Sequence, residues 1–215
     1  LIQHKYKLII FNLDQTLLPK DSIPMVLKQL GLVKEIKQIR GQYLREEINF
    51  QQYSKLVAAQ FAGKSVADVE AACADLRFEP YTKEVIRALK HRKYQVALIS
   101  SSLSPIVNAV CHQLGISYFD CVELNHNAHG NYTGEISQKS QDNWLAGDIE
   151  QSMVKASSRM IRKRQVRKSE TVMVANSTRA INVYDNVGFG IAYRTKDKEL
   201  RAVADKTINV LAEIL

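Results

Sequence analysis

Polar side chains follow three apolar segments of this sequence, and their types suit the binding or transformation of an anion. The run "YKLIIF" leads into Asn12 and Asp14, "YQVALI" leads into Ser100, and "TVMVA" leads into Asn176. A carboxyl group such as that of Asp14 can exchange a proton with a bound molecule. Amide and hydroxyl groups can donate hydrogen bonds to phosphate or carboxylate oxygens. The first of these stretches is typical of a strand whose carboxyl end carries a reactive acid, except that its first polar residue is the amide Asn12.

The elements that must position these side chains alternate along the chain. Short apolar runs at residues 6–11, 94–100, 171–176 and 188–193 predict buried strands, with helical patterns between them. This alternation predicts an α/β fold with a parallel sheet, helices on both faces and right-handed crossovers. Ligands bind such sheets at the carboxyl ends of the strands, so the polar residues converge if the first three strands are neighbours.

Other segments complete the expected organisation. Residues 22–76 show helical patterns without a strand candidate, which predicts a small helical insertion after the first strand. The segments "YFDCVEL" and "NYTGEI" flank a polar tip and predict the two arms of a hairpin. Residues 148–164 predict a basic helix that leads into the strand at 171–176.

Length and composition limit the class of protein. A chain of 215 residues predicts one domain, with room for a small insertion. No apolar run approaches the roughly 18 residues that a membrane helix needs, and the first residues lack the apolar core of a secretory signal. The three cysteines are widely spaced and odd in number, which favours free thiols in a reducing cytoplasm. The net charge of +8 suggests an anionic ligand or partner.

The order of the motifs carries a family resemblance over nearly the whole chain. "FNLDQTLLP", "VALISSSLSP" and "VMVANSTRAINVYDNVGFGIAY" occur in that order, with "YTGEI" in the predicted hairpin. This order resembles the haloacid dehalogenase superfamily and, within it, the phosphoserine phosphatase branch. The resemblance implies a Rossmann-like parallel-sheet core and a small helical cap. It places the core at residues 1–17 and 81–215 and the cap at residues 18–80.

The resemblance also implies roles for particular positions. In the family, an aspartate attacks phosphorus, a second aspartate is the acid and base, and Mg²⁺ is held by acidic residues. On this chain Asn12 occupies the nucleophile position and Asp14 the acid/base position. The phosphate-binding positions carried over are Ser100, Ser101, Thr16 and Lys155. Asp21 and Lys55 match the cap positions that read the substrate, and Asn176 matches a metal-binding position.

Three positions depart from the family's chemistry. Asn12, Asn176 and Ala180 stand where the resemblance implies carboxylates. A neutral amide is a poor nucleophile, and Mg²⁺ prefers a site with one or two carboxylates. The Mg²⁺ that the family implies is therefore doubtful here. Arg179 adds a cation beside Asn176, and its guanidinium is a candidate substitute for the metal in neutralising an anion.

A second feature is the basic run "KASSRMIRKRQVRK" at residues 155–168. It holds seven Lys and Arg residues, which suits an acidic protein, an acidic membrane surface or nucleic acid. No aromatic residue interleaves with the basic ones, so a role in specific nucleic-acid binding is disfavoured. An acidic partner for this helix remains open, as does the simpler interpretation of a solvated helix face.

Three functions compete at this point. The first is a degenerate phosphatase homologue, a pseudoenzyme that binds a phosphorylated or other anionic small molecule without turning it over. The second is an active phosphomonoester hydrolase with unconventional residues, or a trapped variant of an ordinary one. The third is a noncatalytic interaction module that uses the basic helix.

Overall fold

A computed structural model describes residues 5–215 of the chain. Its centre is a six-stranded sheet with the spatial order β3-β2-β1-β6-β7-β8, in which every pair of neighbours is parallel. A separate antiparallel pair is formed by β4 and β5. The strands are β1 Leu8–Asn12, β2 Gln95–Leu103, β3 Tyr118–Val122, β4 Leu124–His126, β5 Tyr132–Ile136, β6 Thr171–Ala175, β7 Phe189–Tyr193 and β8 Lys206–Ile208.

Helices flank the sheet, and five of those within residues 5–215, α1 to α5, lie between β1 and β2 in sequence. The first four helices are α1 Ser22–Gln29, α2 Val33–Leu44, α3 Phe50–Ala59 and α4 Val66–Ala74. The remaining helices are α5 Thr82–His91, α6 Ser104–Leu114, α7 Gln138–Ser140, α8 Ile149–Lys163, α9 Ile181–Tyr184 and α10 Lys198–Val203. One π-helical segment, Gln141–Leu145, joins α7 to the region before α8.

The central strands are buried because helices cover both faces of a parallel sheet. Residues Leu8 to Phe11 of β1 and all of β6 are buried, so these strands read as continuous apolar runs rather than alternating ones. Strand β1 pairs with β2 on one side and β6 on the other. The three strands with polar ends are therefore neighbours, and their carboxyl ends lie at the same edge of the sheet.

Capping boxes and a backbone hydrogen bond stabilise the helical segment formed by α1 to α4. Asn49 and Ser65 each close a capping box at the start of α3 and α4. Where the segment ends, the Glu79 N–H donates to the Leu17 carbonyl at 2.8 Å. The buried Glu79 carboxylate also accepts hydrogen bonds from Tyr193 and Arg194. The boundaries at residues 17, 18, 80 and 81 stay predictions.

Two elements differ from the expectation. The segment "YFDCVEL" splits: Tyr118–Val122 is the edge strand of the main sheet, and only Leu124–His126 pairs with Tyr132–Ile136. An edge strand and a hairpin arm have the same two-residue periodicity, so local pattern does not separate them. The strand β8, which extends the sheet at its other edge, was absent from the sequence interpretation.

Two composition-based expectations meet the structure here. No helix within residues 5–215 is both long enough and apolar enough to cross a lipid bilayer. Cys73, Cys111 and Cys121 are free and buried, and burial raises the pKa of each thiol. Thiols of this kind are unreactive. The reducing compartment inferred from the cysteines stays a prediction.

Candidate functional site

A cavity of about 370 Å³ lies between the carboxyl ends of the central strands and the helices that follow β1. Its floor comes from the loops after β1 and β6, the end of β2 and one residue of α8. Its opposite wall comes from α1, α2 and α3. The lining residues are Asn12, Asp14, Gln15, Asp21, Ile23, Pro24, Arg40, Tyr43, Leu44, Phe50, Tyr53, Ser101, Ser102, Met153, Ser177, Thr178 and Arg179.

Asn12, the last residue of β1, and Asp14, in the loop that follows β1, both lie at the cavity. The Asn12 side-chain oxygen accepts a hydrogen bond from the Leu13 N–H at 2.9 Å. The Asp14 carboxylate accepts one from the Ser22 N–H at the start of α1, at 2.8 Å. Directly after Asp14, Gln15 turns the chain with a positive φ of 57°. Both side chains therefore lie where the resemblance places the first motif, and each already bonds to the backbone.

The Asp14 carboxyl group is the cavity's most perturbed acid. Burial raises the pKa of Asp14 from 3.8 to about 6. Hydrogen bonds from Ser22 oppose this shift, the charge of Asp21 adds to it, and the charge of Arg179 opposes it. A carboxyl group with a pKa near 6 can act as either an acid or a base close to neutral pH. Its acid/base role stays a prediction.

The hydroxyl groups at the floor divide into two sets. Ser101 and Ser102 line the cavity, and the Ser102 hydroxyl lies 2.9 Å from that of Ser22. Ser100 is not a lining residue, since its buried side chain accepts a hydrogen bond from the Ser102 N–H at 3.1 Å. Thr16 is also buried away from the cavity, with its hydroxyl near the Asp14 carbonyl. Ser100 and Thr16 are therefore not lining residues of this cavity, and their phosphate-binding roles stay predictions.

The loop after β6 contributes a cation rather than an acid. Arg179 lines the cavity together with Ser177 and Thr178. Asn176, the predicted metal-site residue, does not line it: its side-chain N–H donates to the Tyr193 carbonyl at 2.7 Å. This bond links the ends of β6 and β7. Ala180, the third changed position, is fully buried and offers no polar side-chain atom.

The predicted phosphate-binding lysine does not lie at the cavity. Helix α8 presents Met153 to it, while Lys155 is exposed two residues farther along. Residues two positions apart on a helix point in different directions. The α8 contribution to the floor is therefore a buried thioether and not an ammonium group, and the expectation for Lys155 is wrong on placement.

The helical wall carries an ion pair, of which the sequence predicted the acid but not the cation. Asp21 lines the cavity as expected, and its carboxylate pairs with the Arg40 guanidinium at 2.8 Å. Gln15 also donates to Asp21, at 3.0 Å. Lys55 is exposed on α3 and lines a different depression, beside Asn125. The cation on this wall is thus Arg40, and the Lys55 prediction is wrong on placement.

Aromatic side chains on the same wall were also missed from sequence. The rings of Tyr43 and Tyr53 stack with their centroids 4.7 Å apart, and Phe50 lies beside them on the lining. Arg40, Tyr43 and Leu44 occupy positions i, i+3 and i+4 of α2, so they share one helix face. That spacing was the available signal, but an amphipathic helix gives the same pattern when it packs against a core.

The residues at the strand ends fit Mg²⁺ poorly. Magnesium prefers oxygen ligands that include one or two carboxylates in octahedral geometry. Here the Asn12 oxygen accepts a backbone bond, and Asn176 turns its amide toward Tyr193. Within residues 5–215, no cluster of three His, Cys, Asp or Glu side chains is placed to hold a metal ion. The family that the sequence resembles implies Mg²⁺, and Asn12, Asn176 and Ala180 provide none of the carboxylates expected for it.

The basic run is divided by the structure. Arg159 pairs with Asp120, Arg164 stacks on the Tyr118 ring and bonds Gln95, and Arg167 pairs with Glu170. Helix α8 ends at Lys163, so residues 164–168 lie beyond it. Arg162 and Lys163 are exposed. An acidic partner for the run stays a prediction, and much of its charge serves contacts within the fold.

Comparisons with known proteins identify the family. The model of the haloacid dehalogenase-like hydrolase family matches residues 9–178, and the chain belongs to that family. It lies in the phosphoserine-phosphatase-like branch, as the following relatives show. Phosphoserine phosphatase of Methanocaldococcus jannaschii is 25% identical over 195 residues, which cover 91% of this chain and 89% of that protein.

Two further comparisons extend this result. Phosphoserine phosphatase of Streptomyces coelicolor is 25% identical over 208 residues, covering 95% of this chain but only 48% of that longer protein. A substrate-bound phosphoserine phosphatase complex has a TM-score of 0.75 and 26% identity, covering 99% of this chain and 98% of that one. The whole fold is therefore shared with phosphoserine phosphatases.

The first prediction concerns the charge of Asp14. A raised pKa means that the folded protein holds this proton more tightly than the unfolded chain does. The resulting stability is fully present below pH 3.8 and is lost as the pH rises through about 6. Asp14→Asn keeps an acceptor for Ser22 and removes the buried charge. We expect a melting temperature above that of the wild type by roughly 6–12 °C at about pH 8, and little difference at about pH 4.

Thermal unfolding followed by circular dichroism across this pH range tests the prediction. The matched control is Asp75→Asn, which changes an exposed acid at the end of α4. The control should show no comparable dependence on pH. A difference between Asp14→Asn and wild type that stays constant with pH would contradict the prediction.

The second prediction concerns the bond between β6 and β7. Asn176→Asp replaces a donor with an acceptor that faces the Tyr193 carbonyl oxygen. We expect a loss of about 1–3 kcal/mol in the free energy of unfolding, because a bond is lost and two oxygens are opposed. Urea denaturation measures it, with the exposed Asn209→Asp as control. Equal stability of Asn176→Asp and the wild type would show that this bond is unimportant.

Proposed function

We propose that this phosphoserine-phosphatase-like protein binds a phosphorylated or other anionic small molecule at the strand ends and is catalytically impaired as a phosphatase. One observation carries the proposal: the residue at the nucleophile position, Asn12, is a neutral amide whose oxygen accepts a backbone hydrogen bond. The binding part and the impairment part rest on different residues, and each has its own support.

The binding part rests on the groups that share the cavity. Arg179 supplies a planar cation that can bond two oxygens of one phosphate. Ser101, Ser102 and Ser177 add hydroxyl groups on the same floor. The relatives named phosphoserine phosphatase support a phosphate monoester as the ligand class. Lys155 faces away, so Arg179 is the cation from the floor loops that the proposal assigns to the phosphate.

The impairment part rests on charge. A carboxylate attacks phosphorus because it carries a negative charge and a free lone pair, and the Asn12 amide has neither to the same degree. The positions of Asn176 and Ala180 lend no carboxylate to a divalent cation. We therefore assign no residue of this cavity as the nucleophile that would form a phosphorylated aspartate.

Calorimetric titration with inorganic phosphate tests the binding part. We expect binding in EDTA as well as in Mg²⁺, and a loss of affinity of about tenfold or more in Arg179→Ala, the usual scale for a charged hydrogen bond. Arg201→Ala removes an exposed arginine of α10 and is the matched control. Binding that requires Mg²⁺, or that survives unchanged in Arg179→Ala, would refute the proposed site.

A second candidate, an active phosphomonoester hydrolase, is favoured by Asp14. Its carboxyl group lines the cavity and has a pKa of about 6, which suits proton transfer. Assays with p-nitrophenyl phosphate and phosphoserine in Mg²⁺ separate the two candidates. We expect no turnover in the wild type and its appearance after Asn12→Asp, Asn176→Asp and Ala180→Asp are combined. Wild-type turnover that Asp14→Asn abolishes would support the hydrolase instead.

A further inference from the structure

The wall opposite the strand ends is aromatic to an extent that a small polar ligand does not require. Tyr43 and Leu44 of α2 and Phe50 and Tyr53 of α3 all line it. Leu44 is 69% exposed, the highest value among the exposed large apolar side chains of residues 5–215. The wall therefore offers aromatic and apolar side chains opposite the anion-binding floor.

The two tyrosines form a fixed platform rather than two independent side chains. Their ring planes are inclined by 29° with centroids 4.7 Å apart, which is an offset-stacked arrangement. Burial raises the pKa of Tyr53 to about 12, so its hydroxyl group stays protonated and can donate a hydrogen bond. Because the rings come from two packed helices, the platform exists before any ligand arrives.

Arg40 lies one helical turn before this platform. It shares a face of α2 with Tyr43 and Leu44, and its guanidinium is oriented by Asp21 at 2.8 Å. Arg40 therefore adds a guanidinium to the lining that holds the two rings, and guanidinium planes and aromatic faces both hold planar rings by stacking or cation–π attraction. The cavity of about 370 Å³ also lies within the roughly 300–1,000 Å³ range of sites that enclose drug-sized molecules.

We propose that the ligand is a phosphate monoester that carries an aromatic ring, with the phosphate at Arg179 and the ring against Tyr43, Tyr53 and Arg40. This inference rests on the proposed function for its phosphate half and adds the ring half. Phosphoserine has no ring, so it would leave the aromatic wall in contact with water. A nucleoside monophosphate and an aryl phosphate such as phosphotyrosine share the required chemistry.

Calorimetric titration of the full chain with four probes tests the ring site. The probes are inorganic phosphate, phosphoserine, phosphotyrosine and adenosine 5′-monophosphate. We expect at least one of the two ring-bearing probes to bind roughly tenfold or more tightly than phosphoserine, the usual scale of stacking on one aromatic side chain. Preference for phosphotyrosine identifies an aryl phosphate ligand, and preference for the nucleotide identifies a nucleotide.

Variants separate the ring site from the phosphate site. Tyr43→Ala should remove the advantage of the ring-bearing probe and leave the affinity for inorganic phosphate unchanged, whereas Tyr43→Phe should keep the advantage. Tyr81→Ala changes a tyrosine that is 54% exposed outside this cavity, and it should behave as wild type. The thermal unfolding of each variant shows that it is folded.

The outcomes distinguish the two proposals. Phosphate binding without any preference for a ring would overturn the ring site and leave the proposed function standing. A preference that persists in Tyr43→Ala would also overturn it, because the ring would then lie elsewhere. Failure of all four probes to bind would overturn the proposed function, and the ring site with it.

Discussion

The site depends on which groups accept and donate the backbone hydrogen bonds beyond the ends of the buried parallel strands. Beyond the ends of β1 and β6, N–H and C=O groups lose their strand partners and need others. The Asn12 oxygen accepts from the Leu13 N–H, and the Asn176 N–H donates to the Tyr193 carbonyl. A carboxylate could replace the first bond but not the second, because it has no hydrogen to donate. The amide at position 176 thus has a structural use that an acid could not serve.

This constraint also sets the electrostatics of the cavity. With amides at two strand ends, the acids on the lining are Asp14 and Asp21, and Asp21 is already paired with Arg40. Asp14 is disfavoured as an anion by its burial. At neutral pH a carboxyl group with a pKa of about 6 is mostly ionised, so Asp14 and Arg179 carry opposite charges on the same lining. Protonation of Asp14 below about pH 6 leaves the Arg179 charge uncompensated, and the cavity then favours an anion over a bare divalent cation.

The sequence predicts the parts of this site that belong to the strands and their immediate ends. Asn12, Asp14 and Ser101 follow buried apolar runs, and the parallel sheet brings them together at one edge. The family motif order added Arg179 and Asp21. The same reasoning also yielded Ser100 and Thr16, whose hydroxyls are buried against the backbone instead. A shift of one residue along a strand decides whether a side chain lines the cavity or lies in the core, and the motif does not specify which residue lines the cavity.

The wall was harder to predict because its residues come from separate helices. Arg40 and Tyr43 lie on α2 and Tyr53 on α3, so their meeting depends on how the two helices pack. Lys55 fits the expected spacing but points from another face of α3. Helix periodicity gives relative positions within one helix and not the rotation of one helix against the next.

The orientation of α8 about its own axis was also not predictable from periodicity, and its physical cause is visible in the structure. Arg159 donates two hydrogen bonds to the carboxylate of Asp120 on the edge strand, from its Nε at 2.8 Å and from its Nη2 at 3.1 Å. The Trp144 indole N–H donates to the same carboxylate at 2.8 Å. This contact fixes one face of α8 against β3, and Met153 then points into the cavity while Lys155 points to solvent. Lys155 cannot reach the cavity floor unless this contact breaks, and the cation on the floor is therefore Arg179.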